Sequence, residues 1–367
     1  MATSDLHQPP FWNSELDRFS AYRAAEALER EQTDEVLDLS NNELMLPPLP
    51  VVTETLRASN GHVNLYPDPA ARSLRSSLAR HFGAEAEETV VGPGSAGVLQ
   101  QLLLALCGRD DEVLYAWPGF DAYPLLIAVT GARGVPVPLT RTGEHDLQEL
   151  LAGVNSRTRA VILCSPHNPT GCRISRRDLR GFLAGLPSQV VTILDQAYLE
   201  FDEEDDPADL DIIREHPGVV LLRTFSKAYG LAGLRVGYAF ASSEIAVRAR
   251  KTVIPFSVTD AAERAAVVSL EQKEELARRL ALVRRLRTEL HVGLCAQGLS
   301  PTPSSGNFVW IPLGESSGRF AASAIKAGVR VRAYPDLGVR ISVGSEQANQ
   351  RVLVAAREFA ATQGLRT

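Results

Sequence analysis

From about residue 70 to residue 240 the chain alternates short Val, Ile and Leu runs with longer amphipathic stretches. The runs at 88–91, 112–116, 159–164, 190–194 and 219–223 are almost continuously apolar, which predicts strands buried on both faces. Between them, 96–106 and 175–186 repeat their apolar residues at helical spacing. This pattern predicts an α/β fold with a mostly parallel sheet covered by helices. After Pro255 the character changes to a charged helical stretch over 260–297, followed by apolar runs at 307–311 and 339–343 around a helix over 319–327. The expected organisation is a large domain over 47–255 and a smaller α+β domain over 256–367, with 1–46 forming an arm and part of the small domain. A helix over 15–31 is expected to pack on the small lobe or on a partner subunit, and 202–206 is read as a solvated acidic loop.

Composition narrows the function. The 367 residues are 45% hydrophobic and 22% charged, with a formal net charge of −6, values ordinary for a globular enzyme with a large core. No broad basic field exists to attract nucleic acid or an anionic membrane, so small-molecule ligands are expected. The first ten residues lack the basic and apolar blocks of a signal peptide, and no apolar run approaches a membrane span, so a cytoplasmic setting is expected. The 4 cysteines form no C-x-x-C pair and the 7 histidines are scattered, which argues against a metal or disulfide framework. Lysine is scarce: Lys227, Lys251, Lys273 and Lys326 stand among 38 basic residues, so chemistry that needs a primary amine has few places to go.

The stretch Thr89-Val-Val-Gly-Pro-Gly-Ser-Ala-Gly97 reads strand, G-x-G-x-x-G turn, helix start. A dinucleotide fold would use such a turn to hold a pyrophosphate, but it also needs an acidic residue closing the next strand. Here that strand closes with Ala116-Trp-Pro-Gly-Phe120. In open α/β sheets ligands gather beyond the carboxyl ends of the strands. Three of those ends carry Ser165-Pro-His-Asn-Pro-Thr-Gly171, Asp195-Gln-Ala-Tyr198 and Thr224-Phe-Ser-Lys-Ala-Tyr-Gly230. An amine, a carboxylate and a phosphate cradle at one edge suit pyridoxal 5′-phosphate: its aldehyde condenses with lysine, its ring nitrogen takes an anionic partner and its phosphate takes N–H and hydroxyl donors.

These motifs, with Tyr66-Pro-Asp68 and the run from Arg223 through Arg235-Val-Gly-Tyr238, resemble the fold-type I pyridoxal-phosphate-dependent aminotransferases over roughly 36–358. Within that class the chain is similar to the histidinol-phosphate aminotransferases and their aromatic amino acid (phenylalanine) aminotransferase relatives. The resemblance implies a homodimer with a seven-stranded type of sheet. It makes Lys227 the Schiff-base lysine and proton carrier, and Asp195 the partner of the pyridinium nitrogen. Asn168 and Tyr198 are expected on the cofactor's phenolic oxygen. Ser95, Ala96 and Gly97 would receive its phosphate with Ser226 and Arg235, Phe120 would stack on its ring, and Tyr66 would reach the partner's phosphate. Arg340 and Arg332 match arginines that clamp the substrate's anionic end.

The family usually shows Asn at His167 and Glu at Gln196. Its pocket-lining loop is represented here by Asn42-Glu-Leu-Met-Leu46, in which Asn42 and Leu46 are expected to meet the substrate. That departure keeps a specialised biosynthetic aminotransferase with a non-aromatic substrate in view. Pro118-Gly-Phe-Asp-Ala-Tyr123 has some likeness to the threonine-phosphate decarboxylases, which leaves decarboxylation as an alternative. A non-catalytic binding protein is a third reading.

Overall fold

The computed structural model describes residues 14–19, 36–203 and 210–363. In chain order the strands are β1 (Leu37–Asp38), β2 (Thr89–Gly92), β3 (Glu112–Trp117), β4 (Arg133–Pro138), β5 (Thr158–Cys164) and β6 (Val191–Asp195). They continue with β7 (Val219–Thr224), β8 (Gly237–Phe240), β9 (Phe308–Ile311), β10 (Val329–Arg330), β11 (Arg332–Tyr334) and β12 (Gly338–Ser342).

Among the described residues, seven strands form one sheet in the order β2-β8-β7-β6-β5-β3-β4. All its pairings are parallel except those of β8, which runs antiparallel to β2 and β7. Two-residue alternation fills both faces. Val161, Leu163, Leu194, Val219 and Leu221 enter one core, while Ala160, Ile162, Ile193, Val220 and Leu222 enter the other. The helix Gly94–Leu106 covers the second face with Leu99, Leu102 and Leu103. All five strands expected from the apolar runs lie in this sheet. The runs missed β4 and β8. The first carries Pro136 and Pro138, which a sheet tolerates because β4 is its edge, and β8 is short.

A third core gathers Leu39, Val309, Ile311, Phe320, Val339, Ile341 and Phe359 around the antiparallel sheet β11-β12-β9 and the parallel pair β1-β10. The helix Lys273–Ala296 joins this core to the first, with Val283 and Leu286 in the first and Leu290 and Leu294 here. The compositional shift at Pro255 is not a packing boundary for the next helix. Asp260–Leu270 packs on Pro50–Ser59 and Arg72–Phe82, and Leu74 N donates to Glu263 Oε1 at 3.0 Å. Within the expected helix over 15–31 the described part is a short 3-10 turn, Ser14–Arg18, and the rest lies outside the described residues. Asp202, expected on a solvated loop, is buried beside Arg173, at 3.6 Å. No helix among the described residues is long and apolar enough to cross a membrane.

The register Cys164↔Asp195 and Asp195↔Leu222 sets the carboxyl ends of β5, β6 and β7 nearly level. The loops that follow them therefore open on one edge of the sheet. The segment after β1 and the strand β12 approach that edge from the small sheet, for Ser342 N donates to Leu39 O at 2.9 Å.

Candidate active site

At this edge lies a cavity of about 300 Å³. Ser95, Ala96, Phe120, Asn168, Asp195, Tyr198, Ser226, Lys227, Arg235, Arg332 and Arg340 all line it. Residues more than 200 positions apart in the chain thus share one space.

One end is an anion cradle. The helix Gly94–Leu106 starts after Pro93 without a side-chain cap, so the first-turn N–H groups of Ser95 and Ala96 lack an intrahelical partner and carry the positive end of the helix dipole. Opposite them Arg235 Nη1 donates to Ser226 Oγ at 3.2 Å and to Ala232 O at 2.9 Å. Arg235 itself sits at φ 52°, a left-handed conformation that strains a non-glycine residue and fixes where its guanidinium points. Gly94, at φ 77°, leaves room for that guanidinium: a Cβ there would collide with it. Gly97 plays a packing part instead, since a Cβ would come within 2.6 Å of Pro93 Cγ. It stands behind Ser95 and Ala96 and does not itself line the cavity.

The middle holds a carboxylate and an amine. Asp195 ends β6 and accepts from Tyr123 OH at 2.7 Å and from Ala197 N at 3.1 Å. Burial raises its pKa, against the pull of those two donors and of Lys227. No cation forms an ion pair with it among the described residues. Lys227 follows β7, and its Nζ donates to the carbonyl of Asn41 at 2.9 Å. Burial, then Arg340 and Arg235, bring its pKa down to about 7, while Glu43 and Asp195 act in the opposite sense. An amine that is half unprotonated near neutrality can take and return a proton.

The far end recognises an anion. Arg340, on β12, is 7% exposed. It donates to Asn168 Oδ1 and the Ser40 carbonyl, and to Tyr334 OH at 3.3 Å. Its Nε has no hydrogen-bond partner and no carboxylate pairs with it among the described residues. Arg332 also faces the cavity, but its Nη2 pairs with Asp121 Oδ2 at 2.8 Å.

Besides Gly97, three expected site residues lie off the lining. Asn42, expected on the substrate, is buried behind the wall, where its Nδ2 donates to Tyr198 OH at 3.0 Å. Its backbone N donates to Ser342 Oγ at 2.8 Å, and its carbonyl accepts from Asn307 Nδ2 at 3.1 Å. It positions a phenol rather than meeting a ligand. Leu46 is half-buried outside the lining, because the loop turns away after Glu43 and Arg279 holds Pro47 O at 2.7 Å. Tyr66 is 84% exposed and packs on Phe256 at 4.7 Å, away from its own chain's cavity. The sequence reading missed Tyr123, although it quoted the motif containing it. It also missed Asp121, and the Asn41 carbonyl, which carries no side-chain signal.

His167 and Gln196 have structural partners. His167 Nδ1 lies 2.9 Å from Thr170 Oγ1, and Gln196 Oε1 accepts from the buried Arg223 at 2.9 Å.

The donor set fits pyridoxal 5′-phosphate. An uncapped helix start with a guanidinium suits its phosphate, a buried carboxylate without a cation suits its ring nitrogen, and an amine of lowered pKa suits its aldehyde. Comparisons with known proteins agree. Residues 34–356 match the family described as aminotransferase class I and II. An aromatic amino acid aminotransferase of Streptomyces coelicolor is 44% identical over 322 residues, 88% of this chain and 90% of that relative. One from Thermobifida fusca is 40% identical over 353 residues, 96% and 98% of the two chains. The crystal structure of histidinol-phosphate aminotransferase from Sinorhizobium meliloti in complex with pyridoxal-5'-phosphate superimposes with a TM-score of 0.86 at 26% identity, covering 99% of both chains. The decarboxylase alternative gains no support from these relatives. The chain therefore belongs to the class I and II aminotransferases and is a pyridoxal-phosphate-dependent enzyme of fold type I.

Proposed function

We propose that this enzyme moves an amino group from an aromatic amino acid to a 2-oxo acid. The observation that carries the reading is the pairing of Arg340 with Lys227 in one cavity: a buried guanidinium without a carboxylate faces an amine that can exchange a proton. The names of relatives 40% to 44% identical supply the aromatic side chain.

When bound, pyridoxal 5′-phosphate supplies an electron sink for the carbanion left by proton removal. Ser95, Ala96, Ser226 and Arg235 would hold its phosphate, Asp195 would keep its ring nitrogen protonated, and Asn168 and Tyr198 would bond its phenolic oxygen. Phe120, packed edge-on against Tyr123 at 5.4 Å, would lie against the ring. Lys227 takes the substrate's Cα proton and returns it, and Arg340 orients the substrate by holding its carboxylate in a two-pronged bond. The phenol of Tyr123 donates to Asp195 and so fixes the carboxylate's direction.

The same reading makes the enzyme a cytoplasmic homodimer serving amino acid biosynthesis. Val63, Leu65, Tyr66, Ile254 and Phe256 are exposed apolar side chains from two neighbouring segments, and a patch of this kind is ordinarily covered by a partner. Tyr66 would then serve the neighbour's phosphate.

A screen of amino donors against 2-oxo acids, read as kcat/KM from the amino acid formed, tests the substrate. Phenylalanine, tyrosine or tryptophan should exceed branched-chain donors and histidinol phosphate by at least about tenfold, the scale of one well-filled pocket. A higher value for histidinol phosphate would overturn the aromatic reading.

A further inference from the structure

Of the three guanidinium groups that line the cavity, the two away from the anion cradle, Arg340 and Arg332, are in different states. Arg340 is buried without a carboxylate partner, whereas Arg332 carries a salt bridge to Asp121 at 2.8 Å, the side chains being 25% and 29% exposed. Both members of that pair line the cavity. Asp121 also borders an adjoining cavity of about 400 Å³, lined by Arg18 as well as by Tyr115, Trp117 and Leu125. A partly buried pair is screened less by salt than a surface pair. Any ligand bringing a second anion to Arg332 has to displace Asp121 or lie beside its charge.

We infer that Asp121 is a specificity-determining residue. By neutralising Arg332 it leaves the cavity with one uncompensated clamp, Arg340, and so disfavours dicarboxylates and phosphate monoesters relative to ligands with one carboxylate and a neutral side chain. This rests on the aromatic-donor reading above. Arg332 alone would make the cavity doubly cationic at that end, and the carboxylate removes the second charge without closing the space. Specificity here comes from a repulsive element placed inside the site.

The test measures binding of two unreactive probes, maleate and 3-phenylpropionate, to the cofactor-loaded enzyme by calorimetry. Asp121→Asn keeps the side chain's shape and removes its charge. Maleate should bind at least about tenfold more tightly to this variant, a difference of 1.4 kcal/mol, while the affinity for 3-phenylpropionate changes less than about threefold. Adding Arg332→Gln to Asp121→Asn should abolish the gain. Unchanged maleate affinity in Asp121→Asn, or a gain that survives in the double variant, overturns the inference. Asp121→Ser gives the same reading should Asp121→Asn fold poorly. Failure of the wild-type enzyme to bind 3-phenylpropionate would count against the aromatic reading, and the maleate comparison would still decide the role of Asp121.

Discussion

The two walls of the cavity are built differently. The wall carrying Asp195, Asn168, Ser226 and Lys227 comes from consecutive strand ends of one sheet, whose parallel pairing sets them side by side. The opposite wall joins Ser40 and Asn41 to Arg340, with bonds such as Asn42 to Ser342 that span 300 positions. A sheet edge fixes its groups through the register of its own strands. The second wall depends on two distant segments meeting. The difference suggests a division of labour, with the chemistry on the sheet's wall and recognition on the other.

The strongest challenge to that division is Lys227→Ala. Turnover should fall by about 10⁴-fold, the upper end for one positioned proton carrier, with circular dichroism unchanged. Retained turnover would move the chemistry off the sheet's wall. Next, Arg340→Ala should lower kcat/KM by about 2 to 5 kcal/mol, the usual cost of truncating one side of a buried charged contact, with the loss chiefly in KM. A loss confined to kcat would merge the two walls' roles, and thermal melting separates either result from loss of fold. Asp195→Asn should reduce kcat by roughly 10- to 150-fold, corresponding to about 1.5 to 3 kcal/mol for a charge-assisted bond, and leave KM nearly in place.

The smallest effect crosses from one wall to the other. Glu43 raises the pKa of Lys227, so Glu43→Gln should lower it and shift cofactor capture by the cofactor-free protein to lower pH. Capture rates followed by absorbance across neutral pH check this, and a shift toward higher pH would contradict it. In the cofactor-free protein the unfolded chain holds the extra proton between the folded value of about 7 and the ordinary 10.5. The residue's contribution to stability therefore rises with pH through that window.

The same contrast explains what could be read from the sequence. Apolar runs and the residues after them located β5, β6 and β7 and, at their ends, the lining residues Asn168, Asp195, Tyr198, Ser226 and Lys227, because strand ends deliver adjacent residues to one edge; Ser95, Ala96, Phe120 and Arg235 came from the family resemblance. The small wall was legible only at its arginines. Nothing in Asn42-Glu-Leu-Met-Leu46 signals that Asn42 lies at φ 55° with its amide on Tyr198, or that the chain leaves the cavity before Leu46. The pairing of Arg332 with Asp121 was equally hidden, as it joins residues 211 positions apart. At Gly97 the G-x-G-x-x-G spacing has a packing cause as well, its approach to Pro93.

The long span between Asn42 and Ser342 also orders events during synthesis. A ribosome delivers Asn42, Asp195 and Lys227 well before β12, so the growing chain can assemble its seven-stranded sheet with one side of the cavity unbuilt. Until Arg340 and Ser342 emerge, Asn42 lacks its Ser342 partner and the clamp does not exist. Recognition is thus assembled last, and a chain terminated before β12 would keep its lysine and carboxylate while having lost the means to choose what reaches them.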